Sequence, residues 1–182
     1  RSVVLTFGEI FRFLEMKYLV TDKNVTVYED PELRIQSGFL PVTVFNGQRL
    51  DDPNLKEGLR ISLDSFVTMN RFCAARGIRF DVVLIPTKEN VFSEHIGRRD
   101  KHLANSEAIH DLIENERNIN ELTKQFFNAN HISYVDVREP LSSAVGKQTI
   151  YPTNHDSHPN KNGYEIIART IMAHLNMNTS HS

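Results

Sequence analysis

The sequence has little that would cross-link it or direct it to nucleic acid or a lipid bilayer. Its 182 residues include one cysteine, Cys73, so no disulfide can form within the chain. Positive charge is not in excess, because 21 basic residues face 23 acidic residues and the formal net charge is -2. A protein that neutralises phosphates needs a basic surface, so nucleic acid is not an expected partner. No apolar run approaches the roughly 18 residues that span a bilayer, and we expect no membrane span in this chain.

The composition is that of an ordinary globular chain, with 40% hydrophobic and 24% charged residues. We therefore expect residues 1–182 to form a single domain with one core, followed by a disordered polar tail at 176–182. Cys73 lies in an apolar, helix-like run, where a thiol acts as a small core filler. This is the expected role of Cys73, rather than that of a reactive thiol.

The first third of the chain mixes one helical segment with short strand-like runs. Dense apolar residues at 7–20 predict a buried helix. Residues 25–28 and 41–45 are rich in β-branched side chains and predict short strands. Asp30-Pro31 and Ser37-Gly38 are typical of turns between them.

The remainder alternates helices with buried strands. Apolar residues at spacings of three and four predict an amphipathic helix at 53–76, which Gly77 ends. Unbroken apolar centres are typical of strands covered by helices on both faces. The pattern predicts strands at 79–86 and 132–137 and further helices at 105–129 and 159–175. This order predicts an α/β fold with a parallel sheet.

Two polar segments are candidates for a site, because α/β proteins bind ligands beyond the carboxyl ends of their strands. The first is 86–90. There the simplest interpretation is structural: Pro86 ends the strand, Thr87 caps the next helix, and Lys88 and Glu89 face solvent.

The second polar segment, 151–160, places two histidines around a carboxylate. An imidazole acts as a general base near neutral pH, and a carboxylate on its other ring nitrogen fixes its tautomer. Asp156 and His158 are the predicted pair, and Pro159 suits the first position of the following helix. The alternative is that Asp156 or Ser157 only caps that helix and the histidines face water.

Two segments resemble the SGNH (GDSL-type) hydrolase superfamily. Residues 156–160, followed by Gly163-Tyr164 and Ile167-Ala168, resemble its last motif, where an aspartate and a histidine close the catalytic site. Residues 84–92 resemble a strand and loop of the alginate O-acetyltransferase-like members. The resemblance implies a three-layer, SGNH- or flavodoxin-like α/β fold, catalytic roles for Asp156 and His158, and esterase or O-acyltransferase activity. It also implies a small-molecule or carbohydrate ester substrate and a location outside the cytoplasm.

The sequence departs from the family pattern in its nucleophile. No Gly-Asp-Ser block and no Gly-x-Asn-Asp block occurs in the chain. We therefore expect a C-terminal fragment, incomplete at its N-terminus, with the nucleophile in an upstream portion. Asn46-Gly47 is more typical of a turn after a strand than of an oxyanion donor. The serines that qualify by residue type alone are Ser2, Ser37, Ser142 and Ser143.

Two further interpretations stay open. One is a non-catalytic binding or scaffold module that keeps the fold without the nucleophile, because fold does not guarantee activity. The other is a metal site, although zinc needs three or four converging ligands and near neighbours on one loop often cannot converge. Outside this metal-site alternative, we expect the protein to bind neither a metal nor a cofactor. The side chains that would supply metal ligands are His155, Asp156, His158, His95, His102 and His110.

Overall fold

The structure is a computed structural model that describes residues 25–30, 35–99 and 106–179. The helix predicted at 7–20 lies outside these residues. The described elements are β1 (Thr26–Asp30), β2 (Ile35–Phe39), α1 (Pro41–Asn46), α2 (Pro53–Ala74), β3 (Asp81–Leu84), α3 (Lys88–Val91), α4 (Ser93–Arg99), α5 (Ser106–Ala129), β4 (Ser133–Asp136), α6 (Arg138–Ser142) and α7 (Lys161–Thr179). Among these helices, none is long and apolar enough to cross a bilayer.

β3 and β4 pair in parallel, with Asp81 opposite Ser133 and Leu84 opposite Asp136. The chain crosses from one strand to the other through α3, α4 and α5, since parallel strands need a long crossover connection. The predicted α/β character and the parallel pairing are therefore confirmed. α7 continues to Thr179, past residue 175, where the sequence predicts its end.

β1 and β2 form an antiparallel pair that the sequence predicts only in part. The strand at 25–28 is confirmed as β1, in which every second side chain is buried. The turn predicted at Ser37-Gly38 is wrong, because both residues lie inside β2. Gly38 lies in the strand because another backbone approaches it closely. A Cβ there would come within 3.0 Å of the carbonyl carbon of Asn154 and the nitrogen of His155.

The strand predicted at 41–45 is also wrong, because these residues begin α1. Pro41 takes the first helical position, where its fixed φ is already helical, and the N–H of Val44 donates to the carbonyl of Leu40 at 3.0 Å. Gly47 follows Asn46, the last residue of α1, and donates its N–H to the carbonyl of Val44. Since that donor is already used, the structure offers it no role as an oxyanion donor.

α2 confirms the predicted amphipathic helix. The side chain of Asp52 accepts from the N–H of Asn54 at 2.8 Å and caps its start, with Pro53 in the first turn. Gly77, in the left-handed region with φ 64°, follows its end as predicted. No α2 side chain is fully buried. The helix packs partly buried apolar side chains against a small cluster formed by Val82, Phe127 and Ile132.

The larger core lies between the β1–β2 pair, α3, α5 and α7. Phe39 of β2 is fully buried and meets Phe92 with ring centroids 5.7 Å apart. Phe92 in turn lies 6.0 Å from the ring of Tyr151, in the segment before α7. This row of rings joins β2 to the predicted site, because Tyr151 begins the polar segment that carries Asp156 and His158.

Candidate functional site

The polar segment forms a loop, residues 150–160, whose ends are tied together at the start of α7. The N–H of Asn160 donates to the carbonyl of Ile150 at 2.9 Å, and its side-chain amide donates to the carbonyl of Thr149. Asn162 donates to the same Thr149 carbonyl at 3.0 Å. Gly163 allows this closeness, since a Cβ there would lie 2.6 Å from the Ile150 carbonyl oxygen. Hydrogen bonds therefore hold the two ends of the loop together next to α7.

Asp156 and His158 meet within this loop. Nδ1 of His158 lies 2.8 Å from Oδ1 of Asp156, and the backbone N–H of His158 donates to the same oxygen at 3.0 Å. These contacts, the backbone bond first and the ring second, hold the pKa of Asp156 below its ordinary value. An ionised carboxylate only accepts hydrogen bonds, so the facing Nδ1 carries the proton. His158 is therefore held in the tautomer whose Nε2 lone pair is free to accept a proton.

The pair is accessible. The side chain of His158 is 78% exposed and that of Asp156 is 47% exposed. The predicted contact of a carboxylate with an imidazole is present. The cap predicted by the alternative interpretation is wrong, because α7 begins at Lys161 and the side chain of Asn160 accepts from the N–H groups of Asn162 and Gly163. The imidazole faces solvent, and the structure describes no partner for its Nε2.

The interior support of the loop comes from Lys88, which the sequence interpretation placed in solvent. That prediction is wrong, because Lys88 is only 1% exposed. Its ammonium donates to three backbone carbonyls of the loop: Pro152 at 3.0 Å, Asn154 at 2.8 Å and Asp156 at 3.2 Å. Burial lowers the pKa of Lys88 to about 8, while the carboxylates of Glu89 and Asp156 oppose that shift.

Glu89, the next residue, is also buried at 2% exposure, so its predicted solvent position is wrong too. Its Oε1 accepts from the N–H of Leu40 at 3.2 Å, which ties α3 to the end of β2. Burial raises the pKa of Glu89. The predicted cap is confirmed: the Thr87 hydroxyl accepts from the N–H of Asn90. That hydroxyl also bonds the buried carboxylate of Glu116, which accepts the Thr87 N–H at 2.9 Å.

β2 contacts the same loop from the other side. The N–H of Gly38 donates to the carbonyl of Asn154 at 3.3 Å, so this oxygen accepts from both Gly38 and Lys88. The Asn154 side chain accepts from the N–H of Asp156 at 3.1 Å. Asn154 therefore joins β2, α3 and the Asp156 turn. One feature of the sequence pointed to this arrangement, namely the polar residues directly after the buried strand β3.

A cavity of about 470 Å³ borders the loop at Tyr151 and Thr153. Its other polar side chains are those of Gln36 in β2 and of Lys147, Gln148 and Thr149 in the segment before the loop. Its volume is in the range of about 300–1,000 Å³ typical of small-molecule sites. None of the described residues that line it is acidic. The cavity therefore suits a neutral or anionic ligand of moderate size.

The serines singled out by residue type do not complete a triad among the described residues. The hydroxyl oxygens of Ser37 and Ser142 are buried. Ser143 is exposed at the C-terminal end of α6, and Ser2 lies outside the described residues. No hydrogen bond joins His158 to a serine hydroxyl in the part of the chain that the structure describes.

A serine, a histidine and an aspartate do meet elsewhere, at the N-terminal ends of β3 and β4. Asp81 Oδ1 lies 2.9 Å from His174 Nε2 and accepts from the Ser133 hydroxyl at 2.7 Å. The Ser133 oxygen is 3.2 Å from the same His174 nitrogen. In a catalytic triad the aspartate and the serine bond opposite nitrogens of the ring. This cluster therefore holds α7 against the strands and does not have the geometry of a catalytic triad.

The metal interpretation finds no matching geometry in the described ranges. No three histidine, cysteine, aspartate or glutamate side chains within them converge as a metal site requires. His102 is outside those ranges.

Comparisons with protein-family models, with curated protein sequences and with solved structures each found no match to this chain.

Proposed function

We propose that the 150–160 loop supplies the aspartate and histidine of an SGNH-type ester hydrolase or O-acyltransferase site. The observation that carries the proposal is the 2.8 Å contact between His158 Nδ1 and Asp156 Oδ1, which leaves Nε2 free on an exposed ring. The position of the loop supports it, because α/β proteins bind ligands beyond the carboxyl ends of parallel strands. Lys88, which holds the loop, follows β3 at that end. The proposal includes the three-layer arrangement of that superfamily.

His158 is the general base and then the general acid in this proposal. Its Nε2 accepts the proton of a serine hydroxyl as the oxygen attacks the ester carbonyl, and the tetrahedral intermediate expels the alcohol with that same proton. Asp156 stabilises the imidazolium that forms between these steps. Water or an acceptor hydroxyl then attacks the acyl-enzyme and gives its proton to Nε2, and His158 returns that proton to the serine oxygen as the bond from serine to the acyl group breaks. Water yields a hydrolase, and a carbohydrate hydroxyl yields an acyltransferase.

The nucleophile in this proposal is a serine outside the described residues. This follows from the hydroxyls of Ser37 and Ser142 being buried and from the absence of a serine partner for His158 within the described ranges. The cavity beside Tyr151 and Thr153 is the proposed substrate site, since the same loop borders it and its described polar lining consists of amide, hydroxyl and lysine side chains.

Labelling with a fluorophosphonate probe tests the proposal, applied to the protein encoded by its full open reading frame. Mass spectrometry then locates the modified side chain. We expect one labelled serine, with labelling lost in His158→Ala and retained in His155→Ala. His155 is the matched control because it lies in the same loop and bonds neither Asp156 nor His158. Equal labelling of both variants, or no labelled serine, would contradict the proposal.

A binding or scaffold module is the second candidate, and one observation favours it. Among the described residues, no serine hydroxyl contacts His158, although Asp156 and His158 are in contact. In such a module Asp156 would stabilise the turn at His158, ahead of α7, and the cavity would bind a ligand without changing it. An unlabelled protein that still binds an ester or its alcohol would support this candidate.

A further inference from the structure

All three N–H donors of the Lys88 ammonium point at one stretch of backbone in the 150–160 loop. The acceptors are the carbonyls of alternate residues, Pro152, Asn154 and Asp156, at 2.8–3.2 Å. An ammonium has three donors, so none is left for a substrate carboxylate or phosphate. The three contacts also hold the backbone of residues 152–156 in a curve around Nζ of Lys88. Lys88 is thus part of the loop's support and has no free donor for a ligand.

Burial makes this support difficult to replace. Lys88 is 1% exposed, and the rings of Phe39 and Tyr151 lie over its ammonium at 5.9 and 5.7 Å from their centroids. Water cannot readily substitute for the lysine there. A side chain without donors would leave three carbonyl oxygens without partners, and each buried unpaired polar group is costly. The loop would then have to move its carbonyls towards solvent.

Asp156 is where this support meets the proposed chemistry. Its carbonyl accepts from Lys88, while its carboxylate accepts from the backbone and the ring of His158. The two contacts fix both ends of the same residue. A rotation of the Asp156 backbone that released Lys88 would therefore also turn the carboxylate away from His158 Nδ1.

We infer that Lys88 is a positioning residue, which holds Asp156 so that His158 keeps its proton on Nδ1. The inference rests on the proposed function only for its consequence in catalysis, since the positioning itself is a property of the free protein. Lys88 acts through the backbone of residues 152–156 and contacts neither the His158 ring nor any reacting atom. This role requires only that the side chain at position 88 is long enough to reach the loop and carries three N–H donors.

The test is the tautomer of the neutral His158 ring, measured by ¹⁵N NMR on the wild-type protein, Lys88→Met and Lys88→Gln. Lys161→Met is the control, since Lys161 is exposed at the start of α7. We expect the Nδ1–H form to predominate in the wild type and in Lys161→Met. In Lys88→Met it should fall to the proportion found in an unfolded peptide, while the amides of β3 and β4 keep their chemical shifts.

Lys88→Gln keeps two donors and provides the test if Lys88→Met does not fold. We expect it to retain the fold with a reduced share of the Nδ1–H form. An unchanged tautomer in either folded variant would overturn the inference. Ester turnover separates the two proposals: if the tautomer shifts but the wild type has no esterase activity, the positioning role stands and the proposed function fails. If the enzyme is active, kcat should fall with KM little changed.

Discussion

Nζ of Lys88 lies 3.2 Å from the backbone carbonyl oxygen of Asp156, 68 residues further along the chain. This contact joins the first turn after β3 to the loop before α7. It explains how an exposed carboxylate and imidazole keep a defined geometry, since their loop is supported from the interior rather than by the pair itself. Exposed ion pairs contribute little to stability on their own.

Replacing Gly38 should disturb the loop from the β2 side. In Gly38→Ala the new Cβ would lie 3.0 Å from backbone atoms of Asn154 and His155, and backbone cannot swing away as a flexible side chain can. We expect the free energy of unfolding to fall by about 1–3 kcal/mol, measured by urea denaturation. We also expect a lower share of the Nδ1–H tautomer of His158.

Gly58→Ala is the matched control for that substitution. Gly58 lies within α2, and a Cβ there would meet no atom within 4 Å. Alanine in a helix interior is favoured over glycine by roughly 0.5–1 kcal/mol, so this variant should be more stable than the wild type. Equal stabilities of the Gly38→Ala variant and the wild type would mean that the loop does not pack tightly on β2.

The cluster at the base of the sheet predicts an acid-sensitive contribution to stability. Hydrogen bonds from Arg79, then from Ser133 and His174, lower the pKa of Asp81 from 3.8 to about 2. A carboxyl group whose pKa is lower in the folded than in the unfolded state stabilises the folded protein at pH values above the unfolded pKa. This contribution is lost as the pH falls from about 4 to about 2. We expect Asp81 to account for roughly 2 kcal/mol of the acid dependence, measured by urea denaturation at each pH.

Asp81→Asn should remove that part of the acid dependence and lower stability at neutral pH. Asp64→Asn is the comparison, because Asp64 pairs with Arg60 on the exposed face of α2. Such a pair contributes little, so its loss should change stability by less than about 1 kcal/mol. Identical pH profiles for Asp81→Asn and the wild type would refute the stabilising role of the cluster.

The buried Lys88 predicts a stability that rises at alkaline pH. Burial lowers the pKa of Lys88 to about 8, against the opposing charges of Glu89 and Asp156, and burial keeps the Tyr151 phenol neutral by raising its pKa. A conformation in which the loop opens and exposes Lys88 restores its ordinary, higher pKa and binds more protons than the closed loop. Rising pH therefore favours the closed loop.

The free energy of unfolding should change in the same direction. Between pH 8 and about 10.5 the unfolded lysine keeps a proton that the folded one has lost, so the Lys88 contribution to the free energy of unfolding rises with pH. Urea denaturation at each pH measures this rise, which should be absent in Lys88→Gln. A rise of equal size in Lys88→Gln, or none between pH 8 and 9.5 in the wild type, would contradict this assignment.

Regular periodicity and helix-end signals predicted the second half of the fold. The apolar spacing of α2 and the left-handed Gly77 define one helix, and the apolar centres of β3 and β4 define the parallel pair. β2 and α1 were not predictable in this way. Gly38 lies in a strand because Asn154 approaches it, a contact between distant segments that local sequence does not encode.

The site was predictable only at its surface. Asp156 and His158 are separated by one residue, so local sequence brings them within reach of each other, but it does not show what holds their loop in place. Lys88 and Glu89 resemble solvated residues, because long charged side chains are seldom buried without partners. Their partners are backbone groups of the loop and of Leu40, which only the tertiary structure brings near.

A double-mutant cycle on hydrolysis of p-nitrophenyl acetate tests the central claim most directly, using the protein from its full open reading frame. We expect His158→Ala to lower kcat by about 10²–10⁴-fold and Asp156→Asn to lower it substantially. The double variant should be no worse than His158→Ala alone, because the two residues act as one unit. If the losses in kcat from the two substitutions multiply in the double variant, or if the wild type is no faster than His158→Ala, the account is contradicted.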